Sequence, residues 1–261
     1  MDLFIFSTAE IVRFAIMLFR VGGIMVFAPF YGSASLPSQI RVVATLVFSA
    51  ALAPSLPLAQ IPQSISLFQS LTLLLGEALI GMSLGLVSLF VFAGMQLAGQ
   101  IISFQLGFAI IHVIDPQSEV ETPVFSFLEN YLGLLFFLLI NGHHWFITAV
   151  SNSLNYFPVN GIHLRGPLVA EVVRLSSQSM VCGLQIAAPI IAVTIIADVV
   201  VGIIGRAAPQ INILIVGMPL KTLVGFSCLG ISFYFLPSYL GNVFMALNRD
   251  LLGMLHRLVQ G

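Results

Sequence analysis

An all-α integral membrane protein is the fold class this sequence predicts, and three observations predict it. Only 7% of its 261 residues are charged while 59% are hydrophobic, with a mean hydropathy of +1.08, which excludes an ordinary water-soluble globular domain. The charges leave uncharged runs at 42–76, 78–114, 130–164, 175–197 and 222–248, each longer than the ~20 residues a helix needs to cross a bilayer. Clusters rich in proline, glycine and serine separate the apolar stretches, as connections between helices do.

The first helix is expected over 8–28, with Glu10 and Arg13 spaced to pair and Arg20 on nearly the same face as Arg13. Two arginines on one apolar face either snorkel or pair inside a bundle, or else touch a polar conduit or a partner. Met1-Asp2-Leu3-Phe4 lacks the basic start of a cleaved signal peptide, so this stretch is expected to be retained. Pro29, Gly32 and Pro37 make 28–39 a loop, and Arg41 starts the second apolar run, which stops at Ala53-Pro54-Ser55-Leu56-Pro57.

A third run begins near Leu67 and is dense in glycine: Gly76, Gly81, Gly85, Gly94 and Gly99. Such density weakens a helix and is balanced by close packing or bending. Glu77 lies alone within it, to be protonated, paired with an arginine from elsewhere, or facing water. The fourth run, 130–156, carries the polar interruption Asn141-Gly142-His143-His144-Trp145; 158–167 is a loop. The fifth, 175–204, holds Pro189 and Asp198, and the sixth, from Pro219 onward, is expected to break at Pro237 before a polar tail with Arg249, Asp250, His256 and Arg257.

Within 99–123, Gly99, Ser103 and Gly107 recur every fourth residue and so form one small-residue helix face suited to close approach by another helix. Past Gly107 comes the apolar segment Phe108-Ala109-Ile110-Ile111-His112-Val113-Ile114, which runs into Asp115-Pro116 and an acidic loop containing Glu119 and Glu121. An apolar segment leading into an acidic loop inside a hydrophobic chain suits a piece that dips into a pathway or plugs it.

Other motifs carry little chemistry. Gly81-Met82-Ser83-Leu84-Gly85 matches a nucleophile elbow, but it lies in an apolar helical run without a strand before it, which favours a helix-packing contact. His143 and His144 are adjacent and point about 100° apart on a helix, while His112 and His163 are isolated, so no metal set is expected. Cys182 and Cys228 lie in apolar runs and do not suggest a disulfide. Asp198 is spaced to pair with Arg206 or to handle protons. A net charge of −1 with no basic stripe argues against nucleic-acid binding and leaves lipid and apolar helices as partners.

Three separated segments carry a resemblance. GRAAPQINILIVGMPL at 205–220, GQIISFQLGFAIIHVIDPQ at 99–117 and Leu138-Leu139-Ile140-Asn141-Gly142-His143, with RVGGIMVFAP at 20–29 before them, resemble in the same order the FliR/SctT family of type III secretion export-gate proteins. The resemblance spans nearly the whole chain. It implies tilted helical hairpins stacked in a right-handed helical assembly around a channel, with several copies of FliP-like and FliQ-like subunits and an FlhB-like subunit as partners. It implies a single domain over 1–261, about 1–160 FliP-like with the plug loop at 107–123 and about 161–261 FliQ-like. The implied setting is the bacterial inner membrane at the flagellar basal body, and unfolded flagellar proteins are the implied cargo. No cofactor and no catalytic residue is implied.

Carried onto this chain, the plug falls on Gly107, Phe108, Ile110, Ile111, His112, Val113, Ile114 and Asp115, where an apolar constriction excludes water and ions until a polypeptide displaces it. Gly205, Arg206, Pro209 and Gln210 match a second motif and suit a fixed turn between helices. Gly99, Ser103, Arg20, Arg41, Glu77 and Asp198 are the expected packing and partner contacts. The rival reading is a secondary transporter with Glu77 and Asp198 as coupling carboxylates, though no internal repeat supports it.

Overall fold

In a computed structural model the protein is helical, and among the described residues there is no strand. Those residues are 7–28, 37–61, 66–108, 124–157, 159, 168–210 and 212–260. The helices are α1 (Thr8–Phe27), α2 (Ser38–Leu52), α3 (Leu67–Gln105), α4 (Val124–Leu139), α5 (His143–Tyr156), α6 (Leu168–Ala207) and α7 (Ile213–Gln260). Two short 3₁₀ turns, Ala53–Ser55 and Leu58–Gln60, follow α2 where Pro54 and Pro57 forbid more helix. Among the described residues four stretches are long and apolar enough to cross a membrane: Ser38–Ser55, Leu67–Gln105, Ala170–Ala207 and Val216–Leu251. The pair α4 and α5 makes a fifth if it counts as one interrupted span. This is an all-α integral membrane protein.

The elements begin and end for local reasons. Ser7 caps α1 by accepting from the Glu10 N–H, while the Glu10 carboxylate accepts from the Ser7 N–H, a reciprocal capping box. Glu10 is thus held by the helix start rather than by Arg13, as its spacing suggested. Between α4 and α5 the chain turns through Asn141 at φ 57°, a left-handed conformation that asparagine tolerates better than most residues. At its N-terminal end α6 extends to Leu168, ahead of the expected start near 175, and α4 likewise begins at Val124 rather than near 130. Against expectation, α7 runs for 48 residues through both Pro219 and Pro237. A proline inside an apolar helix removes one hydrogen bond but need not end it where packing holds the flanking turns.

The fold divides into two compact units that interleave along the chain. One contains Met1–Phe90, Leu138–Leu175 and Met245–Gly261, and the other contains Val91–Phe137 and Ser176–Phe244. In the first, α1 packs against α2 and against the early part of α3. The α1–α3 contact depends on glycine: a Cβ on Gly81 would overlap the Arg20 carbonyl oxygen, and one on Gly23 would lie 2.7 Å from the Met82 nitrogen. A Cβ on Gly85 would likewise lie 2.9 Å from the Phe27 Cβ, so the two helices are in close contact over several turns. Ser83, between the two glycines, is buried and donates to the Ile80 carbonyl at 2.7 Å, as a helix-facing serine does and a nucleophile does not. In the second unit Phe92, Phe137 and Phe244 pack edge-on and tilted, with centroids 5.3–5.9 Å apart.

Replacing Gly81 by leucine is expected to force α1 from α3 and to destabilise the protein by about 1–3 kcal/mol or more. Gly202→Ala, where nothing lies within 4 Å of the added carbon, is expected to be neutral or slightly stabilising. Thermal loss of the monodisperse species in detergent distinguishes the two; equal midpoints would refute the packing role.

Candidate functional site: the terminus of α3 and the buried charges

Helix α3 stops at a point its sequence specifies. Gly107 adopts φ +87°, where only glycine is unstrained, and two reversed hydrogen bonds close the end. The Gly107 N–H donates to the Phe104 carbonyl at 3.1 Å and the Phe108 N–H to the Ser103 carbonyl at 3.0 Å, the pattern of a Schellman terminus. Among the described residues no atom lies within 4 Å of a Cβ built on Gly107, so there this glycine serves backbone conformation rather than the packing face its spacing suggested. Gly99 does serve that face, since a Cβ there would lie 2.6 Å from the Ser126 nitrogen on α4. Ser103 is buried beside it, with a hydroxyl that finds no hydrogen-bond partner among the described residues.

Several groups of the second unit fasten this terminus. The Thr222 hydroxyl lies 3.0 Å from the Leu106 carbonyl oxygen and 2.9 Å from that of Met218 in its own helix, which share its one hydrogen, and the Thr194 hydroxyl lies 3.2 Å from Gln105 Oε1. Gly225 leaves room for the Leu106 side chain, which a Cβ would strike. Phe108 packs edge-on against Phe125 and Phe226, with centroids 5.4 and 6.1 Å away. Phe125 and Phe226 in turn lie 5.7 Å apart. Because Phe108 and Phe125 stand on either side of residues 109–123, the two flanks of that segment meet at one aromatic cluster. Ile110, Ile111, His112, Val113, Ile114 and Asp115 lie outside the described residues.

The charged residues are placed differently from one another. Arg20 is fully buried in the first unit, and each nitrogen of its guanidinium has a partner. Nε donates to Glu77 Oε2 at 2.5 Å, Nη1 to the Ser153 hydroxyl at 3.0 Å, and Nη2 to the Phe157 carbonyl at 3.1 Å. Glu77 is equally buried, so of the three readings open for it, pairing with an arginine from elsewhere is the one the fold adopts. Arg41 sits half-buried in the first turn of α2, its carbonyl accepting from the Thr45 hydroxyl at 2.8 Å.

Asp198 does not pair with Arg206. It accepts from Lys221, the only lysine of the chain, at 2.7 Å, while Arg206 is exposed in the last turn of α6. The reason is geometric: residues eight apart lie two turns away on one helix, whereas Lys221 comes across from α7. A cation at a helix C-terminus is favourable in its own right, which accounts for Arg206. Gly205 belongs to that same turn, and Pro209 and Gln210 form the turn before α7. Sequence reasoning missed Ser153, Phe157, Thr222 and Lys221 as partners; the lone lysine four residues from Gly217, in an apolar run, was the one available signal.

The geometry can now be set beside known proteins. Residues 11–247 match the family described as Bacterial export proteins, family 1. The chain belongs to this family. It is similar to the flagellar biosynthetic protein FliR of Escherichia coli, 32% identical over 210 residues and 80% of each chain. The Bacillus subtilis protein of the same name is 31% identical over 221 residues, covering 82% of this chain and 83% of that one. That of Caulobacter vibrioides is 29% identical over 228 residues, 87% and 91% of the two chains. Membership makes this chain an export protein and not an enzyme, and it agrees with a fold of apolar helices.

Removing one partner of the Arg20–Glu77 pair strands the other charge in an apolar setting, so Arg20→Leu or Glu77→Leu alone is expected to destabilise by about 3–5 kcal/mol. The double variant Arg20→Leu/Glu77→Leu is expected to recover a large part of that loss. Lys221→Ala, at a partly exposed pair, is expected to lose no more than ~1 kcal/mol. Thermal unfolding in one detergent reads all four variants, and additive losses in the double variant would contradict a coupled pair.

Proposed function

We propose that this chain is a core subunit of the flagellar type III export gate in the bacterial inner membrane at the basal body. In this reading it assembles with several copies of FliP-like and FliQ-like subunits, is engaged by an FlhB-like subunit, and forms with them the channel that passes unfolded flagellar proteins. Its helices act as tilted hairpins in a right-handed helical assembly, about 1–160 FliP-like and about 161–261 FliQ-like. Kinship over most of the chain with proteins named for flagellar biosynthesis supports it.

The observation that carries the mechanism is the fastened terminus of α3. A plug must be anchored at its base and free to be displaced by cargo. Phe108 and Phe125, 5.4 Å apart, give residues 109–123 a common base built on Gly107 and Leu106. The apolar residues Ile110, Ile111, Val113 and Ile114, with His112 and Asp115, form the stopper in this reading, since an apolar constriction holds back water and ions without binding a passing chain tightly. Exposed apolar side chains such as Phe104, Tyr234 and Phe235 supply faces for lipid and for neighbouring subunits. The transporter alternative loses support, because Glu77 and Asp198 are each already joined to a cation.

Co-expression with the FliP-like and FliQ-like chains of the same cell, followed by native mass measurement in mild detergent, is expected to yield one large mixed assembly containing this chain. A monomer or simple homo-oligomer that never joins them would overturn the reading. Deleting 108–114 from a forming assembly is expected to raise ion leak through the membrane several-fold; unchanged leak would remove the plug from the proposal.

A further inference from the structure

The second unit contains a cavity of 280 Å³ whose wall is largely apolar, bounded in part by Ile102, Gln185, Pro189, Cys228, Phe233 and Tyr239. Glu129, on α4, also lines it. This glutamate is 3% exposed, and its Oε2 is buried without a hydrogen-bond partner among the described residues. A buried carboxylate left in that condition is expensive, which marks the place where a partner group is missing.

Two residues that line the same cavity also carry backbone acceptors short of a helical donor. Pro189 lies inside α6 and Pro237 inside α7. Neither has an N–H, so the carbonyls four residues earlier, those of Gln185 and Phe233, lack their ordinary helical donor. Both residues line this cavity. Of the lining donors, the Tyr239 hydroxyl is spent on Gln185 Oε1 at 2.8 Å and the Ser232 hydroxyl on the Cys228 carbonyl at 2.9 Å, and neither reaches Glu129. A site made of a carboxylate and carbonyls without their usual donors calls for a group that only donates and carries positive charge, an ammonium or a guanidinium. The apolar wall suits the methylene stem behind such a head. The volume falls just below the roughly 300–1,000 Å³ of pockets for drug-sized ligands, which favours one side chain over a larger molecule.

What carries that side chain follows from the mouth. Ile231 and Phe235 line the cavity while remaining 66% and 63% exposed, and Tyr234 beside them is 82% exposed. An apolar rim around a single buried carboxyl group without a partner, which a cation would hold ionised, is complementary to an apolar helix with a single positive charge. We infer that this cavity is a receptor for one lysine or arginine side chain borne on an apolar helix of another membrane chain. The inference rests on the reading that this protein works inside a multi-subunit assembly, and it adds the residue that registers one neighbour.

Cys228 reports occupancy directly. Using the full chain in detergent, its modification by N-ethylmaleimide is followed by peptide mass with n-pentylammonium chloride, n-pentanol or sodium chloride at equal concentration. The expected result is at least threefold slowing by n-pentylammonium alone, abolished in Glu129→Gln. No slowing, or equal slowing by n-pentanol or sodium chloride, overturns the proposal with the wild-type chain alone, whatever the variant does. In the assembly, Glu129→Lys is expected to reduce recovery of the mixed complex at least tenfold. Changing one membrane-helix lysine or arginine of a neighbour to glutamate is expected to restore it. Assembly of Glu129→Lys at wild-type yield would also overturn the proposal. If the wild-type chain itself joins no partner, the assembly reading falls, whereas the alkylammonium result still decides whether the cavity takes a cation.

Discussion

The first unit depends on one guanidinium. Arg20 lies with no solvent exposure in a protein whose helices are apolar enough to cross a membrane, where an unpaired charge is among the least tolerable groups. Its cost is offset because Glu77 supplies the counter-charge and Ser153 and the Phe157 carbonyl each accept from one of the two terminal nitrogens. Three stretches far apart in sequence, on α1, α3 and at the end of α5, are therefore obliged to meet. The glycines at 23, 81 and 85 make the meeting possible, since any side chain there would hold α1 and α3 too far apart for so short an ion pair. Electrostatics sets where the helices meet, and glycine sets how closely.

The second unit relies on a helix end. A glycine with positive φ stops α3, two reversed hydrogen bonds close it, and the Thr222 hydroxyl takes up the carbonyl of Leu106. Phe108, placed just past the stop, enters an aromatic cluster with Phe125 and Phe226. Ending the helix and anchoring the next residue are the same event, because a Schellman terminus brings the residue after the glycine back against the preceding turn. Phe108 at the end of α3 and Phe125 at the start of α4 thereby bring these two helix ends together at one cluster.

Much of this was legible along the chain. The helices, the break at Asn141-Gly142 and the crowding of glycine in α3 all follow from local composition and spacing, and each is seen in the fold. Other expectations failed. Asp198 takes Lys221 rather than Arg206, Glu10 caps its own helix rather than holding Arg13, and Pro237 leaves α7 unbroken. For the two carboxylates, a cation from another helix or a competing backbone group outweighs what sequence proximity offers. The importance of Glu129 was equally hidden, since one glutamate among ten acidic residues has no periodic signature.

By itself the sequence determined the class of protein, the apolar runs that become its long helices and the polar break at Asn141-Gly142. Those are properties of apolar run length, of proline and glycine backbone preferences and of hydrogen bonds closed within a few residues. Only the tertiary structure decided which charges pair, which glycines are contacts and which are turns, and which carboxylate is left without a partner. Pairing across helices depends on the direction and depth of side chains brought together from distant positions, and no spacing along one strand of sequence encodes that.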